Sequence, residues 1–387
     1  MLVTLVAGAR PNFIKIAPLI KAIESEKADG KNILYRLVHT GQHYDKKMSG
    51  DFFEQLCIPE PHVNLGAGSG SQAEQTAAIM VKFEKELQEN KPDVVLVVGD
   101  VTSTMACTIT AKKLCIDVVH VEAGIRSGDI TMPEEINRIV TDAICDHFFT
   151  TGEVANQHLR QSGVKENQIH FVGNTMIDTL YQNLHKLSKP VFWDEFNIKV
   201  KNYFLVTLHR PSNVDNPYKL EELLASIVSS VKDFWTIFPV HPRTRKMLAN
   251  IKIQSSRIIM TDPLGYHEFI YLMQNAKAII TDSGGITEEA TVLQVPCLTL
   301  RNTTERPETV TIGTNELIGD DFKKLESCLK DIISGNWKEG AIPKLWDGKT
   351  AVRIIKKLIE LYSPVTPAFR ALLRNQKEST ESFTDIA

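Results

Sequence analysis

Three stretches of this chain place a carboxylate at the end of a short apolar run or at the opening of a helix beyond it. Asp100 follows such a run in Gly99-Asp100-Val101-Thr102-Ser103. Glu122 closes an almost wholly apolar run before Ala123-Gly124-Ile125-Arg126, a costly place for a carboxylate unless it is paired or used. Glu134 stands in Met132-Pro133-Glu134-Glu135-Ile136-Asn137-Arg138, where Pro and two acids open a helix. Structural roles exist for two of them: Asp100 as a helix N-cap, Glu134 as a dipole partner that also pairs with Arg138 four residues on. Three acids on successive loops exceed what capping needs, and they suggest proton transfer.

A fourth stretch carries glycines: Thr281-Asp282-Ser283-Gly284-Gly285-Ile286-Thr287-Glu288-Glu289. An apolar run meets Ser-Gly-Gly and a helix is expected to begin, so successive backbone N–H groups can cradle a pyrophosphate. Glu288 or Glu289, within the first turns, can reach ribose hydroxyls. Arg301 and Arg306 follow another apolar run and bring two guanidiniums near that nest. Near the N-terminus, Gly8-Ala9-Arg10-Pro11 follows the first run. Pro11 suits a first helical turn, so Arg10 can grip a phosphate there, with Lys15 about one turn further. The spacing is not G-x-G-x-x-G, which argues against a dinucleotide fingerprint. His209, in Leu208-His209-Arg210-Pro211, ends a further apolar run; it either serves the cleft or is a satisfied structural histidine.

These loops need elements to hold them. Apolar, β-branched runs at 2–7, 33–39, 94–98, 118–121 and 147–150 alternate with helix-period segments at 14–25, 73–88, 104–114 and 134–144. The pattern restarts with runs at 204–207, 236–240, 257–260, 278–280 and 297–300 and helical segments around 218–232, 266–275 and 286–293. Strand–helix–strand repetition predicts an α/β protein of two doubly wound, Rossmann-like domains, with a hinge near Gly173-Asn174 or somewhat beyond. The first domain is expected to span 1–173 and to take back a C-terminal helical segment at about 354–387; the second is expected to span 174–353. The amphipathic stretch 351–361 is placed to lean on the first domain, and the tail from Lys377 is polar. Ligands of such sheets bind at the carboxyl ends of the strands, so the site is expected in the cleft between domains.

The chain has 387 residues, 44 Lys plus Arg against 47 Asp plus Glu, and a formal net charge of −3. That near-balance provides no long-range field for nucleic acid or an anionic membrane surface, and neither partner is expected. No apolar run approaches the ~18 residues of a membrane span, and the N-terminal run is too short for a secretory segment. Six cysteines without a Cys-x-x-Cys pair read as reduced thiols, and no metal-ligand spacing is visible. A cytoplasmic protein without metal or cofactor is expected.

The segments GARPNFIKIAPL, HTGQH, VVGDVTST, HVEAGIRSGD, MPEEINR, GNTMIDTL, LHRPSN, PVHP, TDSGGITEEA and RNTTERPETV occur in this order over about residues 2–320. Together they resemble the non-hydrolysing UDP-N-acetylglucosamine 2-epimerase family. The resemblance implies a glycosyltransferase-B fold and a homodimer. It also implies reversible inversion at C2 of UDP-N-acetylglucosamine to UDP-N-acetylmannosamine, by elimination of UDP to a 2-acetamidoglucal and re-addition. Asp100, Glu122 and Glu134 match the family's catalytic acids and His209 its cleft histidine. Arg10, Lys15, Arg138, His209, Ser283, Gly284, Gly285, Glu289 and Arg306 match positions that hold phosphates, ribose or sugar, with UDP on the second domain. Gln42, Arg210 and His241 match a possible allosteric site for a second sugar nucleotide. The sequence after Gln42 (His43-Tyr44-Asp45) and the 66–71 segment depart from that pattern, which carries a further Arg.

Three other readings remain beside this one. A 2-epimerase of UDP-2,3-diacetamido-2,3-dideoxy-glucuronate shares several of these segments. A glycosyltransferase of the same fold would need an acceptor groove and not three cleft acids. A non-catalytic sensor would bear carboxylates in an anion-binding cleft at an electrostatic cost.

Overall fold

The computed structural model describes residues 1–41, 55–248, 251, 253 and 255–362, without the side chains of Arg10 and Arg243. Its first sheet is built from β1 (Leu2–Ala7), β2 (Leu34–His39), β3 (Val63–Asn64), β4 (Val94–Val98), β5 (Asp117–Val121), β6 (His147–Thr150) and β7 (Ile169–Phe171). The order is β3-β2-β1-β4-β5-β6-β7, and every pairing is parallel. The crossovers are α1 (Arg10–Ala28), α2 (Gln72–Glu89), α3 (Thr102–Lys113), α4 (Pro133–Ile144) and α5 (Glu153–Gln161). All five residues of β4 are buried, as a parallel strand covered on both faces requires.

After α6 (Thr175–Asn183) the scheme repeats. Strands β8 (Tyr203–Thr207), β9 (Trp235–Pro239), β10 (Ile258–Thr261), β11 (Ala278–Thr281), β12 (Cys297–Thr299) and β13 (Asn315–Leu317) form a second parallel sheet in the order β10-β9-β8-β11-β12-β13. Its helices include α7 (Pro217–Ser230), α8 (Pro242–Leu248), α9 (Tyr266–Asn275), α10 (Gly284–Val292) and α11 (Phe322–Ser334). The last described helix, α12 (Thr350–Tyr362), packs on α1 and α6. Two Rossmann-like units facing one another across a cleft are the glycosyltransferase-B arrangement. The two- and three-residue strands β3, β7 and β13 are absent from the sequence reading because a run that short carries no period.

Helix α6 mediates between the units, packing on both α1 and α10. Pro18 lies inside α1 and cannot donate to the carbonyl of Ile14. That carbonyl instead accepts the Thr179 hydroxyl of α6 at 2.5 Å. Asp178, buried in the same helix, accepts the backbone N–H groups of Thr350 (3.0 Å) and Ala351 (2.6 Å), capping α12 from outside its own sequence. Trp346 is fully buried, and its indole donates to the Thr151 carbonyl at 3.0 Å.

Candidate active site

The carboxyl ends of the two sheets face a cleft of about 570 Å³. On the first wall, Gly99 takes φ +70°, turning the chain sharply after β4. The next residue, Asp100, lines the cleft and does not cap α3: that helix starts from Val101 with no side-chain cap. Asp100 instead pairs with Arg138, and its carbonyl accepts from Asn137 at 2.8 Å. The Glu134–Arg138 pair offered as a structural alternative does not form. Arg138 turns to the adjacent acid, Glu135, at 2.6 Å, and Glu135 also accepts the Ser127 and Gly128 backbone N–H groups. Glu134 is thereby left exposed at the cleft, free of that pair.

Glu122 lies deeper. It is a non-glycine residue at φ +70° and only 2% exposed, a strained placement worth about 1–3 kcal/mol that persists where the surroundings enforce it. The backbone is held by the Phe149 carbonyl, which accepts the N–H groups of Glu122 at 2.9 Å and Ala123 at 3.1 Å. The side chain meets two cations: Lys15 Nζ at 2.6 Å and Arg306 Nη2 at 3.0 Å, both on Oε2. Oε1 is buried with no hydrogen-bond partner among the described residues. Burial alone would raise this carboxyl, but Lys15 and Arg306 outweigh it and hold it below its ordinary value. Lys15, expected to hold phosphate, ribose or sugar, is thus engaged with Glu122. Arg306 also pairs with Glu288, so two cations and two carboxylates from both units form one buried cluster. Burial pushes Glu288 up, partly offset by Arg306.

On the second wall, α10 begins at Gly284 with Ser283 as its N-cap, and no side chain caps it. The Ser283 N–H is already taken by Thr281 Oγ1 at 3.0 Å, so the nest begins one residue later than Ser283. A Cβ at Gly284 would meet only the ends of Arg301 and Glu305, at 3.6 and 3.9 Å, so the space before this helix is open. Glu289, which lines the cleft and is 3% exposed, accepts the Tyr266 hydroxyl at 3.0 Å; burial pushes its carboxyl up to about 8. Arg301 is held bidentate by Glu305 at 2.7 and 2.6 Å. Of the two guanidiniums expected near the nest, neither is without a carboxylate.

His209 also lines the cleft, its Nδ1 2.8 Å from Asp282. Arg210 and His241 lie on the same wall. The Arg10 side chain and Gln42 lie outside the described residues, although α1 does begin at Arg10.

Several residues in and around the site were given no role by sequence reasoning: Asp282, Tyr266, Glu305 and a buried network under β5. In that network His120 faces the Asp142 carboxylate at 2.7 Å and the Gly99 carbonyl at 2.8 Å, while Asp142 takes the Gly124 N–H and Arg126. Both loops that carry the acids, after β4 and after β5, are pinned by it. The available signal was an apolar strand interrupted by one histidine. Among the described residues no group of three or more His, Cys, Asp or Glu is arranged to hold a metal ion, and no helix is long and apolar enough to cross a membrane.

A family model described as UDP-N-acetylglucosamine 2-epimerase matches residues 26–359. A UDP-N-acetylglucosamine 2-epimerase of Methanocaldococcus jannaschii is 42% identical over 92% of this chain and 99% of its own length. A crystal structure of the M. jannaschii enzyme in complex with UDP-GlcNAc and UDP superposes with a TM-score of 0.81, at 42% identity, over 93% of this chain and 100% of that one. A UDP-2,3-diacetamido-2,3-dideoxy-D-glucuronate 2-epimerase of Pseudomonas aeruginosa is 37% identical over 82% of this chain and 88% of its own. Two facing Rossmann-like units, an acid-bearing wall opposite an uncapped helix start, and matches that run nearly end to end lead to one assignment: the chain belongs to the UDP-N-acetylglucosamine 2-epimerase family.

Proposed function

We propose that this protein interconverts UDP-N-acetylglucosamine and UDP-N-acetylmannosamine by eliminating and re-adding UDP. The observation that carries the reading is the opposition of charge across the cleft: Asp100 and Glu134 on one wall, the open N-terminus of α10 on the other. The C2 proton is not acidified by a carbonyl, so it leaves most readily as the C1–oxygen bond breaks. A carboxylate on the first wall takes that proton, and the C2–H electron pair becomes the C1=C2 bond. The C1–O pair departs with UDP, whose phosphates meet the N–H groups of Gly284 and Gly285 and the positive end of the helix. On return, a second acid delivers a proton to the opposite face of C2 while the UDP oxygen re-forms the bond at C1. Glu122 supports this step through its pairing with Lys15 and Arg306, which fixes the floor of the acid-bearing wall. Arg138 serves by orienting Asp100, Glu289 serves the ribose end, and Arg10 would add a phosphate contact. Domain division at 173/174 with the C-terminal helix returned to the first unit belongs to the same reading. So do a cytoplasmic homodimer, which light scattering tests for its oligomeric state, and a modulatory role for Gln42, Arg210 and His241.

Proton NMR with UDP-N-acetylglucosamine in deuterated water tests the reaction. Reversible appearance of the manno epimer carrying deuterium at C2 is the expected result. Turnover of the 2,3-diacetamido-glucuronate nucleotide instead would move the assignment to the activity named for the P. aeruginosa relative. Release of free sugar, or transfer only with an acceptor, would overturn it.

A further inference from the structure

His209 and Asp282 close the carboxyl ends of two neighbouring parallel strands, β8 and β11, which brings them together across 73 residues of chain. Asp282 is fully buried, and its Oδ1 lies 2.8 Å from His209 Nδ1. Its Oδ2 accepts the Arg210 backbone N–H at 2.9 Å and the Asn213 side-chain amide at 3.1 Å. Burial opposes ionisation of this carboxyl, but His209 and these donors outweigh it, and the group sits below its ordinary value. An ionised carboxylate only accepts, so the hydrogen between the two residues belongs to Nδ1. The imidazole is 45% exposed and lines the cleft, which leaves Nε2 as the ring nitrogen available to a ligand.

We propose that Asp282 is a positioning residue that fixes His209 in its Nδ1–H tautomer and so presents Nε2, bearing its lone pair, to a hydroxyl or acidic proton of the bound sugar nucleotide. An amide at position 282 would keep the backbone and Asn213 bonds through its oxygen. Its NH2 would then face Nδ1, turn that nitrogen into an acceptor and move the ring hydrogen to Nε2. The catalytic consequence rests on the epimerase reading; the tautomer does not.

Nitrogen-15 NMR of histidine-labelled protein, with the His209 signals assigned by their loss in His209→Gln, reads the tautomer directly. The wild-type protein is expected to show Nδ1–H in the neutral ring, and Asp282→Asn to show Nε2–H. In Asp282→Asn, kcat for epimerisation is expected to fall about 10²–10⁴-fold with UDP affinity in calorimetry unchanged. Added to His209→Gln, the same substitution should lower kcat no further, because the two residues act as one unit. An Nε2–H tautomer in the wild-type protein, or an equal loss of kcat with and without His209, would overturn the proposal. Should Asp282→Asn fail to fold, the wild-type tautomer alone decides the question. A wild-type protein that shows Nδ1–H yet turns over no sugar nucleotide would sink the epimerase reading and leave this inference standing.

Discussion

Adjacent glutamates in this chain have opposite fates, and the difference decides what substitutions should do. Glu135 is buried and locked by Arg138 and two backbone N–H groups, whereas Glu134 looks into the cleft. Asp100→Asn and Glu134→Gln are each expected to lower kcat by about 10²–10⁴-fold while UDP binding survives in calorimetry; near-normal turnover in either would remove that residue from the chemistry. Glu122→Gln should act on stability as well. It leaves Lys15 and Arg306 with Glu288 as their remaining carboxylate, and breaking a buried pair from one side costs roughly 3–5 kcal/mol, read by urea unfolding. Glu289 supplies a pH test. In the fold its carboxyl is pushed up to about 8, while the unfolded chain ionises near the ordinary value. Between those values the folded state holds the extra proton, so stability falls as pH rises through that window. Glu289→Gln mimics the protonated form. It should match wild type near the acid end of the window and exceed its unfolding free energy by roughly 4 kcal/mol at pH 8.

At the scale of elements, the start of α10 and the ends of the strands do the positioning. Gly284 is the position where bulk should matter most to a ligand and least to the fold, since a Cβ there meets only side-chain ends. Gly284→Val is expected to leave thermal unfolding almost unchanged and to weaken UDP binding at least about tenfold, because the added methyls fill the approach to the helix N–H groups. Wild-type affinity in this variant would move the nucleotide off the second unit. The long strands and helices around these loops were legible in the sequence because a parallel strand buried on both faces leaves a continuous apolar run. The short edge strands were not. The N-cap offered as a structural alternative for Asp100 does not form either, because Arg138 takes its carboxylate.

Over the whole molecule, the two units are tied together at the cleft floor by Arg306 and Glu122 and at the back by α6 and α12. Asp178 is the joint of the second tie, a carboxylate from one helix capping another 172 residues away. Asp178→Ala should lower unfolding free energy by about 1–2 kcal/mol, as loss of an N-cap does, and should speed amide hydrogen exchange at the start of α12. Unchanged protection there would mean that apolar packing on α1 holds α12 without the cap. Because α6 touches both units, fraying at this joint should also be felt at the cleft.

The order of strands and helices, the identity of the strand-end loops and the acids and glycines they carry are all local properties, written in periods of two and 3.6 residues and in turn chemistry. From them follow two doubly wound units with a site at their carboxyl edges. Charge pairing is not local. Glu122 meets Arg306 across 184 residues, His209 meets Asp282 across 73, and Arg138 chooses Glu135 over Glu134 because the loop from Ser127 wraps that side of α4. Which carboxylates are tied down and which are left to face a ligand was therefore decided only when the loops of both sheets came together, since the strength of an ion pair depends on separation and burial in space and not on distance along the chain.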